Sequence, residues 1–228
     1  MPKKTKATKV TDTKKAWNRK PKSKNYRVDS IPMNKTILIV CEGQTEELYF
    51  KAFPVLGLRV DAINMEGQSK LKMIDSTQEL LATSDVSYDE IWCVFDMDVN
   101  RGEDEFSDYD NAINKAEGNG YQVAYSNDAF ELWFYLHFEY TDAEHLREFY
   151  YEELSKKFGL NYEKEGKRYG FCQSLYSSLS QIEGSSQIKA IERAKSLFEQ
   201  KKDFPYHQQN PVTKVFELVE ELNRNLRK

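Results

Sequence analysis

Four apolar stretches alternate with helical patterns between residues 35 and 126, and this alternation limits the possible folds more than any other feature of the chain. Residues 36–41 read as a buried strand and 45–53 as a short helix. A second strand spans 58–64. The next helix, 69–83, has Ser69 as N-cap and carries Leu71, Ile74, Gln78 and Leu81 on one face. A third strand over 90–95, a helix over 106–117 ended by Gly118 and Gly120, and a fourth strand over 121–126 complete the series. Strands that alternate with helices in this way imply an α/β fold: a parallel sheet with helices on both faces.

After residue 127 the pattern changes. The segment "AFELWFYLHF" (129–138) is apolar all round, so it is expected to pack into the body rather than lie on the surface. Helical periodicity follows over 142–157, 172–183, 187–202 and 213–226. In the last of these, Asn210 would cap, Pro211 would start the helix, and Val215, Leu218, Val219 and Leu222 would face inward. The implied organisation is a basic arm (1–34), an α/β core (35–140) and a mainly helical region (141–228) packed on that core.

The charge is unevenly spread. Residues 1–30 hold nine Lys and two Arg against Asp12 and Asp29, a net of +9, so the rest carries −13 within a whole-chain net of −4. Without hydrophobic periodicity the arm is expected to be disordered unless a partner orders it. Lys14 and Lys15 within it are candidate contacts to a polyanion, with solubility as the plainer role. Cys41, Cys93 and Cys172 lack metal or disulfide spacing, and the first two fall inside strands as small core residues. The basic N-terminus is not followed by an apolar signal region, and no stretch approaches the ~18 apolar residues that span a bilayer. A cytoplasmic location is expected.

Loops that leave the carboxyl ends of parallel strands form the ligand crevice of such sheets. Glu42 ends the first strand, Gly43 allows a tight turn, and Glu46 lies in the first helical turn, where it points back toward the crevice. Asp96 and Asp98 end the third strand, and their spacing of two puts both carboxylates on one side of an extended chain. If the first and third strands are neighbours, four carboxylates converge. At about 4 Å each unscreened pair costs roughly 4 kcal/mol at an effective dielectric near 20, and hard divalent cations with oxygen ligands relieve this. Replacing Asp96 by Asn would then ease the repulsion in a metal-free chain. The plainer readings are a favourable glutamate at a helix start and an ordinary loop DxD.

A glutamate closing strand one before a glycine, with DxD closing strand three, resembles the Toprim domain. "ILIVCEGQTEELYF", "VFDMDVN", "AFELWFYLHF" and "NPVTKVFELVEEL" together are similar to the RloB family of bacterial anti-phage and abortive-infection loci, over about residues 35–225. The resemblance implies a Toprim-like sheet. It also implies nuclease activity dependent on Mg²⁺ or Mn²⁺, with Glu42 as metal ligand or general acid/base at a raised pKa. Glu46 would be a second acidic ligand, and Asp96 and Asp98 would hold the metal. The longer DxDxD pattern of many Toprim proteins is broken here by Asn100. RNA, including transfer RNA, or DNA would be cut, under control of an ATPase encoded nearby. The chain has no GxxxxGK[ST] loop of its own.

Glu131 is the other candidate for the site, as a catalytic carboxylate or a plain helix-terminal charge, with Ser126 and Asn127 beside it to orient water or phosphate. Lys164 and Lys189 are candidate phosphate contacts. The segment "RYGFCQSLYSSL" offers aromatics for base stacking or simple helix packing. His137 reads as a hydrogen-bonded core residue, His145 as exposed, and His207 as a loop residue open to substrate contact. A non-catalytic module that binds an ATPase or nucleic acid is the competing reading, and primase-like chemistry would use the same acidic crevice. A homo-oligomer is compatible with the sequence.

Overall fold

The computed structural model describes residues 35–65, 69–98 and 103–226. Lys14, Lys15, the rest of the arm and Asn100 lie outside the described residues. Five strands form one sheet in the order β2-β1-β3-β4-β5: β1 (Lys35–Cys41), β2 (Leu58–Asn64), β3 (Glu90–Asp96), β4 (Gln122–Asn127) and the two-residue β5 (Val212–Thr213). The first four run parallel, and β5 runs antiparallel to β4. The chain leaves β1 toward β2 and then crosses back to β3 on the other side. The direction of winding therefore reverses between β1 and β3, where open α/β sheets bind ligands.

Alternation along each strand divides the core. Ile37, Ile39 and Cys41 join Trp92, Val94 and Ala124 on one face, while Leu38 and Val40 join Cys93, Phe95 and Tyr125 on the other. Both faces are covered, which is why these strands read as continuous apolar runs. α1 (Gln44–Lys51) and helices from the second half of the chain cover the first face. α2 (Lys70–Thr83) and α3 (Glu103–Gly118) cover the second. Past the end of α3, Gly120 takes a left-handed φ of 78° and its N–H bonds the Glu117 carbonyl at 2.9 Å, a turn that favours glycine.

The apolar segment after β4 forms α4 (Glu131–Tyr135), a single turn with every residue buried. So short a helix is unstable alone. Burial of Leu132, Trp133, Phe134 and Tyr135, at about 1.5–3 kcal/mol each, outweighs that deficit. Trp133 Nε1 donates to the Tyr49 hydroxyl at 2.9 Å, and Tyr49 packs edge-on against Phe130 and Phe134. These contacts clamp α1 to α4, and with them the segments that carry Glu46 and Glu131.

The remaining helices are α5 (Arg147–Phe158), α6 (Tyr162–Glu165), α7 (Tyr169–Gln181), α8 (Gln187–Lys201) and α9 (Val215–Asn223). Several expectations change here. Val212 and Thr213 pair with Asn127 and Ser126, so Asn210 and Pro211 precede a strand, and α9 begins only at Val215. Val215, Leu218, Val219 and Leu222 are buried as the periodicity requires. The polar and aromatic stretches 159–170 and 203–210, which lack helical periodicity and are expected as loops, contain α6 and a 3-10 turn, Tyr206–Gln208. In α2, Ser69 does cap, accepting from the Lys72 N–H at 3.3 Å. The buried face, however, is Lys70, Met73, Ile74 and Thr77, and Gln78 is exposed. A reading by hydrophobicity alone passes over Lys70. Among the described residues no helix is long and apolar enough to cross a membrane.

Candidate active site

The carboxyl ends of β1, β3 and β4 continue their ladders into the crevice. The Glu42 N–H bonds the Val94 carbonyl at 3.0 Å, Met97 N–H bonds Ser126 at 3.0 Å, and Asp98 N–H bonds Asp128 at 3.2 Å. These bonds fix where the acidic side chains start. The chain is not extended at Asp98, as the spacing alone suggested. Asp98 is left-handed with φ 53°, a conformation that Asp tolerates better than most residues. Both carboxylates nevertheless reach one cation: Arg147 Nη2 lies 3.2 Å from Asp96 Oδ2 and Nη1 lies 3.6 Å from Asp98 Oδ1. Asp96 Oδ2 also accepts the Phe130 N–H at 3.2 Å. Asp128 Oδ2 accepts the Arg147 backbone N–H at 3.0 Å and so anchors the start of α5.

A second cation serves the β1 side. Lys70, 1% exposed, bonds Glu105 and lies 3.7 Å from Glu42 Oε1, while its backbone N–H donates to Asp108 Oδ2 at 2.9 Å. Glu46 is buried with its carboxylate over Gly43, whose φ of −135° any residue could adopt. The glycine matters for space rather than for the turn: an added Cβ would stand 2.9 Å from Glu46 Oε2.

The family model described as "RloB-like protein" matches residues 37–222, from β1 into α9. The chain belongs to the RloB-like family. A search of curated proteins returned no match.

In this RloB-like chain the carboxylates interact strongly. Burial, then Asp96, Glu131 and Glu42, push the Glu46 carboxyl up to about 8. Burial and Asp96 raise Glu131, with Arg147 and Lys167 pulling the other way. For Arg147 and Lys70 burial opposes the charged form, but the carboxylates overcome it. Asp96, Glu131 and Asp98 hold the proton on Arg147, and Glu42, Glu105 and Asp96 hold it on Lys70. The fold thus supplies its own countercharge to the acidic corners.

Glu42, Glu46, Asp96, Asp98 and Glu131 therefore all belong to one crevice. Lys164 and Lys189 are exposed, their backbone N–H groups taken by Asn161 and Ser186, and the lysine that acts on Glu131 is Lys167. Ser126 and Asn127 are committed elsewhere: Ser126 Oγ meets Thr213 Oγ1 at 2.8 Å, and the Asn127 amide donates to the Tyr206 and His207 carbonyls. His137 is a core histidine, its Nδ1 2.9 Å from the Trp133 carbonyl and its pKa pushed down to about 4 by burial. His145 is half-buried rather than exposed, stacked on Phe149. Phe171 and Tyr176 pack against the core, so that motif serves helix packing.

Sequence reading missed Lys70 and Arg147, whose places at helix starts and beside carboxylates emerge only in the fold. Each is the first residue of a helix, where the macrodipole disfavours a cation. Here the neighbouring carboxylates offset that cost.

Among the described residues no three His, Cys, Asp or Glu side chains form a ready set of metal ligands. The donor chemistry is all carboxylate oxygen, however. It fits a hard cation such as Mg²⁺, which takes one or two carboxylates and keeps its waters.

Proposed function

We propose that this RloB-like chain is a metal-dependent nuclease with a Toprim-like site, hydrolysing phosphodiester bonds in RNA or DNA. The observation that carries the reading is the gathering of Asp96 and Asp98 on Arg147 beside Glu42, Glu46 and Glu131, where the sheet reverses its winding. Asp96, Asp98 and Glu42 would hold Mg²⁺ or Mn²⁺. When bound, the ion supplies charge stabilisation at the phosphate and a more acidic water. Arg147 and Lys70 would turn to the phosphate charge once the carboxylates engage the ion. Glu46, at about 8, holds a proton near neutral pH and can exchange it at its carboxyl, as an acid/base role needs. Family membership supports an effector role in cytoplasmic anti-phage defence, with a neighbouring-gene ATPase as partner.

The competing reading is a binding module without turnover, favoured by how fully Arg147 and Lys70 already pair the acidic groups. Mixed RNA and DNA substrates incubated with Mg²⁺, Mn²⁺ or EDTA, with and without the ATPase, separate the two. Metal-dependent cleavage that disappears in Asp96→Asn supports the nuclease. Binding without cleavage under every condition leaves the module.

A further inference from the structure

Beside the carboxylate crevice lies a second cavity of about 770 Å³, within the ~300–1,000 Å³ range of small-ligand sites. Two of its lining residues adjoin the site along the chain. Met97 stands between Asp96 and Asp98, and Leu146 precedes Arg147. The cavity therefore opens near the edge where Asp96, Asp98 and Arg147 meet. The other walls are unusual for a surface cleft. Phe106, His145, Phe204 and His207 contribute flat rings, and Gln208 and Asn210 contribute amides.

The rings are held in place before any ligand arrives. His207 stacks on Phe106 at 5.4 Å and 17° from parallel. Asp110 fixes it twice, accepting the backbone N–H at 2.9 Å and lying 2.7 Å from Nδ1. His145 stacks on Phe149 at 3.6 Å and meets Thr141 Oγ1 at 3.2 Å. Phe204 is 53% exposed, an unusual place for a phenyl ring, with the Lys201 ammonium 6.0 Å from its centroid. Glu144, the carboxylate of this lining, is 3.5 Å from Lys201, so the cavity is not a cation trap.

Flat rings joined to amide edges and one lysine match the chemistry of a nucleobase: π-faces to stack, edges to hydrogen-bond and a phosphate close behind. We propose that this cavity receives an unpaired nucleobase of a single strand whose backbone crosses the carboxylate crevice. The proposal deepens the nuclease reading and rests on it for the choice of ligand. A duplex base is excluded because its faces are already stacked. The cavity would thus select single-stranded or splayed RNA or DNA and set the distance from the held base to the bond addressed by Asp96 and Asp98.

The test uses the full chain in EDTA, so that stacking is read without turnover. Single-stranded RNA and DNA oligonucleotides carry 2-aminopurine at successive positions, with matching duplexes as controls. Stacking quenches the probe. The expected result is quenching at a defined position of the single strand and none in the duplex. Phe204→Ala should weaken binding roughly 5- to 150-fold, the range for losing one stacked base, and abolish the quench. His207→Phe, which keeps a ring and the backbone N–H bond to Asp110, should retain it. Quenching unchanged in Phe204→Ala, or absent at every position of both polymers, overturns the proposal. The RNA and DNA arms show which polymer the cavity takes. A chain that quenches but never cuts keeps the cavity and removes the nuclease. One that cuts equally well with Phe204→Ala and shows no quench does the reverse.

Discussion

Replacing Glu46 by Gln tests the electrostatics of the crevice without removing the side chain's shape. The folded carboxyl titrates at about 8 against an ordinary value of 4.5, because it is buried beside Asp96, Glu131 and Glu42. Between those two values the folded chain holds a proton that the unfolded chain has released. Stability at this residue is therefore fully present below about pH 4.5 and is lost as pH rises through 8. The slope is about −1.4 kcal/mol per pH unit, and over the 3.5-unit interval the loss reaches roughly 5 kcal/mol. Glu46→Gln removes this titration. Urea denaturation in EDTA at intervals from pH 5 to 9 measures it as the difference between variant and wild type. The difference cancels the opposing slope of His137, whose lowered pKa adds stability as pH rises from about 4 to 6.5. The variant should gain stability over wild type progressively toward pH 8, and added Mg²⁺ should shrink the gain by favouring the ionised carboxylate. Stability curves that stay parallel across the range would refute the coupling.

Asp96→Asn should abolish metal-dependent cleavage and also destabilise the fold by about 1.5–3 kcal/mol by thermal or chemical denaturation. It removes the charge that Arg147 and the Phe130 N–H share, which reverses the stabilisation that repulsion alone would suggest. Arg147→Gln should lower stability by about 3–5 kcal/mol and tighten Mn²⁺ binding on the order of tenfold by calorimetry, since a resident cation no longer competes; unchanged Mn²⁺ affinity would count against the shared site. Glu131→Gln should lose single-turnover cleavage with nucleic-acid binding retained, and it should gain stability over wild type as pH rises past the ordinary glutamate value of 4.5, because the folded carboxyl is raised. Deleting residues 1–34 should weaken nucleic-acid binding and flatten its salt dependence, whereas an equal salt slope would leave the arm a solubility role.

Periodicity and strand-end chemistry make much of this protein legible in its sequence alone. Continuous apolar runs, separated by helical patterns, point to a parallel sheet covered on both faces. Carboxylates following β1 and β3 fall at one edge because parallel strands all end there. Glu42, Glu46, Asp96 and Asp98 could be placed on that basis, and Glu131 by its position after β4. The groups that decide how those carboxylates behave were not legible, because they come from distant turns of the chain. Lys70 looks like a solvated helix charge until α3 brings Glu105 and Asp108 to it. Arg147 looks like any other surface arginine until α5 docks and its guanidinium reaches both aspartates. Gly43 reads as a turn residue, yet its φ suits any residue, and what a Cβ there would meet is the Glu46 carboxylate above it. Sequence determines which residues share a strand end, since that follows from local period. Only tertiary packing decides which opposite charges are buried with them, because a buried ion pair is a contact across space with no period to announce it.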